Sequence, residues 1–262
     1  MSTRRPAILS IAGFDPTAGA GILTDAAVFR ALGFHPLAVL TSVAAQGASG
    51  VAQIRSLPEE FIQRQLDVVA AEFNPAGVKI GMLYGLPAVK VVTAFLSSRK
   101  ILAVLDPLIW ASSGKGLIRP SALSLLARRL MPLCRVITPN LVEAEYFLQR
   151  PVGDVESCEH AARELARRWK TAVLLKGGHL PGDPVDVLVE GDRVYRFLHP
   201  RIAPGIKFRG TGCALSSALA VGIAKGKKLT EAVEFAGDFV REVLTKHYLA
   251  AADETVGFMD YK

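Results

Sequence analysis

Gly210-Thr211-Gly212-Cys213-Ala214-Leu215-Ser216-Ser217-Ala218-Leu219-Ala220 is a glycine turn that opens an alanine-rich helix with one thiol in its first turn. The first N–H groups of a helix lack intrahelical acceptors, and the macrodipole puts partial positive charge on them. A phosphate therefore docks readily at such a turn, and a thiol held there is biased toward thiolate, a candidate base. The same letters also suit a buried structural cysteine behind a tight turn. The surrounding sequence has to separate the two.

Upstream of the turn, apolar runs and helical patterns alternate. Ala7-Ile8-Leu9-Ser10-Ile11-Ala12 reads as a buried strand, followed by a glycine-rich segment over 13–21 and a predicted helix over 22–32. A strand over 36–43 comes next. Pro58 then opens a helix in which Ile62, Leu66, Val69 and Phe73 recur at helical spacing. Further elements are predicted as strand 78–81, helix 87–98, strand 101–105, helix 121–130, strand 136–138 and helix 142–148. Asp154 is placed to cap a helix whose Cys158, Ala161, Leu165 and Trp169 share a face, before a strand over 172–175. Strands 186–189 and 194–197, joined through Glu190-Gly191-Asp192-Arg193, read as a hairpin near a sheet edge. Two helices close the core, the second with a stripe of Val233, Ala236, Phe239, Val240 and Val243. This order predicts right-handed crossovers and a mostly parallel sheet covered on both faces, in a single domain over 1–262.

Composition narrows the class. Half of the 262 residues are hydrophobic and 21% are charged, the balance of a globular enzyme rather than a disordered chain. The net charge of +7 is scattered over pairs such as Arg128-Arg129 and Lys227-Lys228, without the basic tract or aromatic-basic module of a nucleic-acid binder. A mildly basic surface also suits phosphate-bearing substrates. Cys134, Cys158 and Cys213 show neither zinc spacing nor a disulfide framework. The short apolar stretch after Arg4-Arg5 is interrupted by Asp15, and no run is long enough to span a bilayer, so a cytoplasmic location is expected.

Ligands of open parallel sheets bind beyond the carboxyl ends of the strands. Those positions carry Asp15 and Asp25 around the first glycine loop, Gln46, Met82, Asp106, Asn140 with Glu143, and Lys176, which predicts one shared cleft. The loop Asp15-Pro16-Thr17-Ala18-Gly19-Ala20-Gly21 lacks the spacing of a dinucleotide fingerprint. Asn140 and Glu143 suit either the water shell of Mg²⁺ or an ordinary helix cap. Lys176 beside Gly177-Gly178-His179 has the layout that neutralises a transferring phosphoryl group, or of a surface turn. His179 reads as structural, and Met82 and Gln46 each have a packing or backbone-satisfying alternative.

Taken together, the ordered motifs Ile11-Ala12-Gly13 with Asp15-Pro16 and Gly19-Ala20-Gly21, Lys79-Ile80-Gly81-Met82-Leu83, Asp106-Pro107, Ile137-Thr138-Pro139-Asn140 with Glu143-Ala144-Glu145, Leu175-Lys176-Gly177-Gly178-His179-Leu180 and Gly210-Thr211-Gly212-Cys213 resemble the hydroxymethylpyrimidine/phosphomethylpyrimidine kinases of thiamine biosynthesis. The resemblance implies the ribokinase-like fold, a three-layer α/β/α sandwich around a mostly parallel sheet. It further implies ATP- and Mg²⁺-dependent phosphorylation of 4-amino-5-hydroxymethyl-2-methylpyrimidine and then of its monophosphate, by a homodimer. Carried over by position, Gln46 would bond the aminopyrimidine, with Gly13, Ala20, Asp25, Met82 and Leu108 around it. Cys213 would stand where sugar-kinase relatives place an aspartate base, and Gly210, Thr211, Gly212 and Cys213 would form the anion hole. Asn140 and Glu143, with Asp106, would order Mg²⁺ and its water, while Lys176, Asn140 and Glu143 would serve ATP.

Departures from the family pattern bear on the pocket. Phe208-Arg209 stands where relatives usually have Thr-His, and Arg209 is expected to replace the lost positive charge. Ala111-Ser112-Ser113-Gly114 replaces a common Ala-Lys-Ser-Gly and follows a bulky Trp110, while Phe14 and Ile80 replace a small polar residue and a threonine. A pyridoxal or pyridoxine kinase of the same fold is therefore the enzymatic alternative, since Phe14 and Trp110 leave room for another flat heteroaromatic alcohol. A catalytically silent pyrimidine-binding protein is the non-enzymatic one.

Overall fold

Strands that must hide both faces set the architecture. In the computed structural model, which describes residues 5–47, 50–111, 113–178, 180, 184–199, 202, 206–249 and 256–261, the chain begins with β1 (Ala7–Phe14), α1 (Gly21–Ala31), β2 (His35–Gly47) and β3 (Gly50–Ser56). It continues through α2 (Glu59–Glu72), β4 (Val78–Ile80), α3 (Leu86–Ser97), β5 (Ala103–Leu105), α4 (Pro120–Leu125), β6 (Val136–Ile137), α5 (Leu141–Leu148), α6 (Val155–Trp169) and β7 (Ala172–Leu175). The hairpin β8 (Val185–Glu190) and β9 (Arg193–Leu198) precedes β10 (Lys207–Phe208), α7 (Thr211–Ala224), α8 (Leu229–Thr245), β11 (Tyr248–Leu249) and β12 (Val256–Phe258).

Nine strands form one sheet in the order β3-β2-β1-β4-β5-β6-β7-β8-β9. Pairing is parallel from β2 to β7 and antiparallel at both margins. Successive side chains of a strand point to opposite faces, which here feeds two cores. Leu9, Ile11, Leu105, Ile137 and Leu175 pack with α2, α3, α4, α5 and α6, whereas Ile8, Val104, Val136 and Leu174 pack with α1, α7 and α8. Each such buried Leu or Ile contributes about 1.5–3 kcal/mol, so the helix layers are held on both sides. The three-layer sandwich with a mostly parallel sheet is as expected.

The differences are local. Residues 50–56, to which no element was assigned, form β3 because the long β2 runs past its parallel partner and pairs back on its next segment. The helix expected over 121–130 is α4 followed by a π-helical turn over Leu126–Leu130 and a short 3₁₀ turn. Phe73, expected on the buried stripe of α2, lies beyond its end and stacks on His35 with ring centroids 5.8 Å apart. A second sheet, β10-β12-β11, was not read at all. Asp154 does cap α6, accepting from the Ser157 N–H at 2.7 Å. Among the described residues, no helix is long and apolar enough to cross a membrane.

Candidate active site

The loops at the carboxyl ends of the parallel strands enclose a cavity of about 540 Å³. Its wall brings together Gly13, Ala20, Gln46, Met82, Leu108, Asn140, Lys176, Gly210, Thr211, Gly212 and Cys213. Phe14, Trp110, Phe208 and Arg209 line it as well. Asp25, Asp106 and Glu143 stand behind this wall, each at most 1% exposed. His179 lies outside the described residues.

Gly210 sits in the left-handed region at φ 71°, and a Cβ there would lie 2.1 Å from the Gly19 carbonyl oxygen. Only glycine fits such a bend. The turn thereby brings the first loop against the start of α7, and no side chain caps that helix. Its leading N–H groups, at 211–213, have no intrahelical acceptor. A Cβ on Gly212 would approach the Lys176 ammonium to 3.1 Å and Asp106 Oδ2 to 3.7 Å, so the bare backbone lets both groups reach the turn.

Lys176 Nζ donates to Asp106 Oδ1 at 2.8 Å. Burial alone would lower its pKa, but Asp106 and Glu143 outweigh burial and raise it, so the cation is secure. Asp106 also accepts from Thr138 through Oδ1, while its buried Oδ2 has no partner among the described residues.

Cys213 is 5% exposed yet belongs to the cavity wall. The thiolate bias expected from its place on the helix is corrected here. Burial raises the thiol's pKa, with Lys79 and a bond from the Gly21 N–H pulling it down. Lys79, between Val78 and Ile80, is a buried cation. It donates to both oxygens of Asp25, at 2.7 and 2.9 Å, and Asp25 also accepts from Ser10 at 2.5 Å and Ser217 at 2.8 Å. Ser217 is one helical turn beyond Cys213 on the same face of α7. Asp25, expected beside the ring, thus has its oxygens committed to an ion pair under the thiol.

At the start of α5 both alternatives read from the sequence can be weighed. Asn140 Oδ1 accepts from the Glu143 N–H at 2.9 Å, and Glu143 Oε2 accepts from the Asn140 N–H at 2.9 Å, a complete capping box. Glu143 Oε1 accepts from the Ile109 N–H at 3.3 Å. Burial raises the Glu143 carboxyl above the usual carboxylate range, against the pull of Lys176 and with Asp106 adding to the rise. Among the described residues, no cluster of three or more His, Cys, Asp or Glu side chains is arranged to hold a metal ion.

At the far end of the cavity, Asp15 joins three segments. Its Oδ1 accepts from the Thr17 N–H at 2.9 Å and the Thr17 hydroxyl at 2.8 Å, and its Oδ2 accepts from Gln46 Nε2 at 3.0 Å. Arg209 Nη2 lies 3.8 Å from the same Oδ2, and Nη1 donates to the Gly47 carbonyl at 3.0 Å. Arg209, next to the turn at Gly210, therefore ties that turn to the end of β2. A register shift between Ala45 and Gln46 re-aims the end of β2 toward the cavity. Sequence spacing gave no hint of this hub, because its members are far apart in the chain.

Residues 15–256 match the phosphomethylpyrimidine kinase family. The chain belongs to that family. A hydroxymethylpyrimidine/phosphomethylpyrimidine kinase of Rhizobium meliloti is 38% identical over 239 residues, covering 90% of each chain. A thiamine biosynthesis bifunctional protein of Geobacter sulfurreducens is also 38% identical, over 95% of this chain, which spans only 54% of that longer protein. The crystal structure of a phosphomethylpyrimidine kinase from Clostridium difficile superposes with a TM-score of 0.80 at 32% identity, over 91% of this chain and 99% of its own. An ADP complex of Bacillus subtilis pyridoxal kinase superposes at 0.87 with 25% identity, over 98% of both chains. The ribokinase-like kinase of the sequence reading and the family found here are the same.

Proposed function

We propose that this family member transfers phosphoryl groups from ATP to 4-amino-5-hydroxymethyl-2-methylpyrimidine and then to its monophosphate, for thiamine biosynthesis. The observation that carries the reading is the convergence of an uncapped helix N-terminus, a lysine, a thiol and a carboxamide on one cavity. The ring lies among Gly13, Ala20, Met82 and Leu108, with Gln46 along its edge, since a carboxamide supplies the donor and the acceptor that an aminopyrimidine edge needs. The hydroxymethyl group faces Cys213, which receives or orients its proton. The amides of Gly210, Thr211, Gly212 and Cys213 take the charge of the transferring group, and Lys176 takes that of the ATP phosphates. Phosphoryl transfer gains chiefly from such placement and neutralisation.

Asp106 Oδ2, buried and unpartnered, fits a hard cation such as Mg²⁺, which would supply further neutralisation of phosphate charge. Asn140 and Glu143, engaged in their cap, would reach that ion through its water. Asp25 supports Cys213 from behind through Lys79 and Ser217.

A pyridoxal kinase is the second reading, favoured by the close superposition on the Bacillus enzyme. The two separate on ATP turnover. The pyrimidine alcohol and its monophosphate are expected to be used with a kcat/KM at least about tenfold above that of pyridoxal, the scale of a difference in ring-edge bonding. The reverse order would make this a pyridoxal kinase, and binding without ADP formation would make it a silent binder. A cytoplasmic homodimer completes the proposal, and sedimentation of the free protein tests the dimer.

A further inference from the structure

A carboxamide can face a ring in two ways, with nitrogen and oxygen exchanged, and the two ways select opposite substrates. We propose that Asp15 fixes this choice for Gln46, and so sets the preference of the site for an amino-bearing ring edge over an oxo-bearing one. The inference rests on the reading of Gln46 as the ring contact.

As a carboxylate, Asp15 offers only acceptors. Its Oδ1 is held by the Thr17 N–H and hydroxyl, and its Oδ2 faces Gln46 and Arg209. Asp15 is 4% exposed, so its orientation is set by these partners rather than by water. Gln46 must then turn its NH₂ toward Oδ2. One N–H is used there, and the other N–H and Oε1 form the edge presented to a ligand. That edge matches a ring nitrogen beside an exocyclic amine, where the ring accepts and the amine donates. It mismatches the 4-oxo analogue, in which a carbonyl accepts and the neighbouring ring N–H donates. Arg209 keeps the arrangement in register by bonding Gly47, the residue after Gln46, while standing beside Oδ2. Asp15 is thus a positioning residue, acting through Gln46.

Asp15→Asn inverts the pattern with almost no change in shape. The Thr17 N–H can only donate, so the introduced amide keeps its oxygen toward Thr17 and turns its NH₂ toward Gln46. Gln46 then has to offer Oε1 to it, exchanging donor and acceptor along the ring edge.

The test compares kcat/KM for the hydroxymethylpyrimidine and its 4-oxo analogue. Wild type is expected to favour the amino compound by about 100-fold or more, the scale on which sites reject a ligand that leaves buried polar groups unpaired. Asp15→Asn is expected to lower the ratio by at least about 30-fold through KM, with the KM for ATP within about twofold of wild type. Arg209→Ala, which keeps the carboxylate but loosens it, should lower the ratio by about 3–10-fold and serves if Asp15→Asn does not fold. A ratio unchanged in both variants, or an equal loss on both compounds, overturns the proposal. Gln46→Ala separates the two levels. If it leaves both substrates unaffected, the ring-contact reading fails and takes the proposal with it. If it abolishes the preference while Asp15→Asn and Arg209→Ala retain it, the positioning role alone falls.

Discussion

Among the helices that begin at the carboxyl edge of the sheet, α5 and α7 begin in opposite ways. At α5, Asn140 and Glu143 fold back on each other and satisfy the first turn from within. At α7, Gly210 has no side chain, no side chain caps the turn among the described residues, and Gly210, Thr211 and Gly212 line the cavity together with Lys176 and Cys213. Both ends carry the same partial charge. What separates scaffold from site is whether the chain completes its own hydrogen bonds or leaves them for a ligand. A filled N-terminus stabilises the fold, while an open one binds anions.

Substitutions at each end test that division, and the largest effect belongs to the open one. Cys213→Ala removes the thiol without blocking the turn, and kcat is expected to fall by about 10²–10⁴-fold. Pyrimidine binding, measured by calorimetry, should change little, and a wild-type rate would take the thiol out of the mechanism. Gly210→Ala forces a methyl toward the Gly19 carbonyl and displaces the amides, so turnover should drop by about 100-fold, as small misplacements at a reacting centre do.

A subtler comparison uses pH. Because burial raises the Cys213 thiol, its deprotonated form grows only as pH rises, so a base role predicts a kcat that climbs toward alkaline pH. Cys213→Asp should move that rising limb toward the carboxylate range, and a limb that stays in place would exclude residue 213 as the titrating group. The smallest effect is expected at the closed end. Asn140→Ala should cost about 1 kcal/mol of stability in denaturant titrations, the usual loss of a helix cap, and reduce kcat far less than either change at α7. A catalytic loss as large as that of Gly210→Ala would mean that the water-mediated contact of Asn140 with the ion outweighs its role as a cap.

Much of this contrast was legible in the sequence. The alternation of apolar strands with patterned helices fixes the layers, since a strand buried on both sides needs helices on both faces. Asn140 with Glu143 three residues later allowed a cap as one of two readings, and Gly210 through Cys213 allowed an open turn beside a buried structural cysteine. The Lys79–Asp25 pair was harder to see, because a lysine between Val78 and Ile80 gives no sign of the carboxylate that neutralises it 54 positions away. A charge inside an apolar strand was the only signal, and it does not say which residue pairs with it. Asp25 was expected near the ring from the family resemblance, whereas its oxygens are committed behind the wall. β3 and the small sheet were missed for a related reason, since short pairings at a sheet margin depend on which distant segment is already in place.

The central claim is that the uncapped turn of α7 receives the terminal phosphate of ATP beside the substrate alcohol. A crystal structure with a non-hydrolysable ATP analogue and the hydroxymethylpyrimidine tests it most directly. The account predicts terminal phosphate oxygens within about 3 Å of amides at 211–213, the distance of a charge-assisted bond, with the alcohol between that phosphate and the Cys213 sulfur. A terminal phosphate bound at the start of α5, or a pyrimidine seated away from both Gln46 and Cys213, would contradict it.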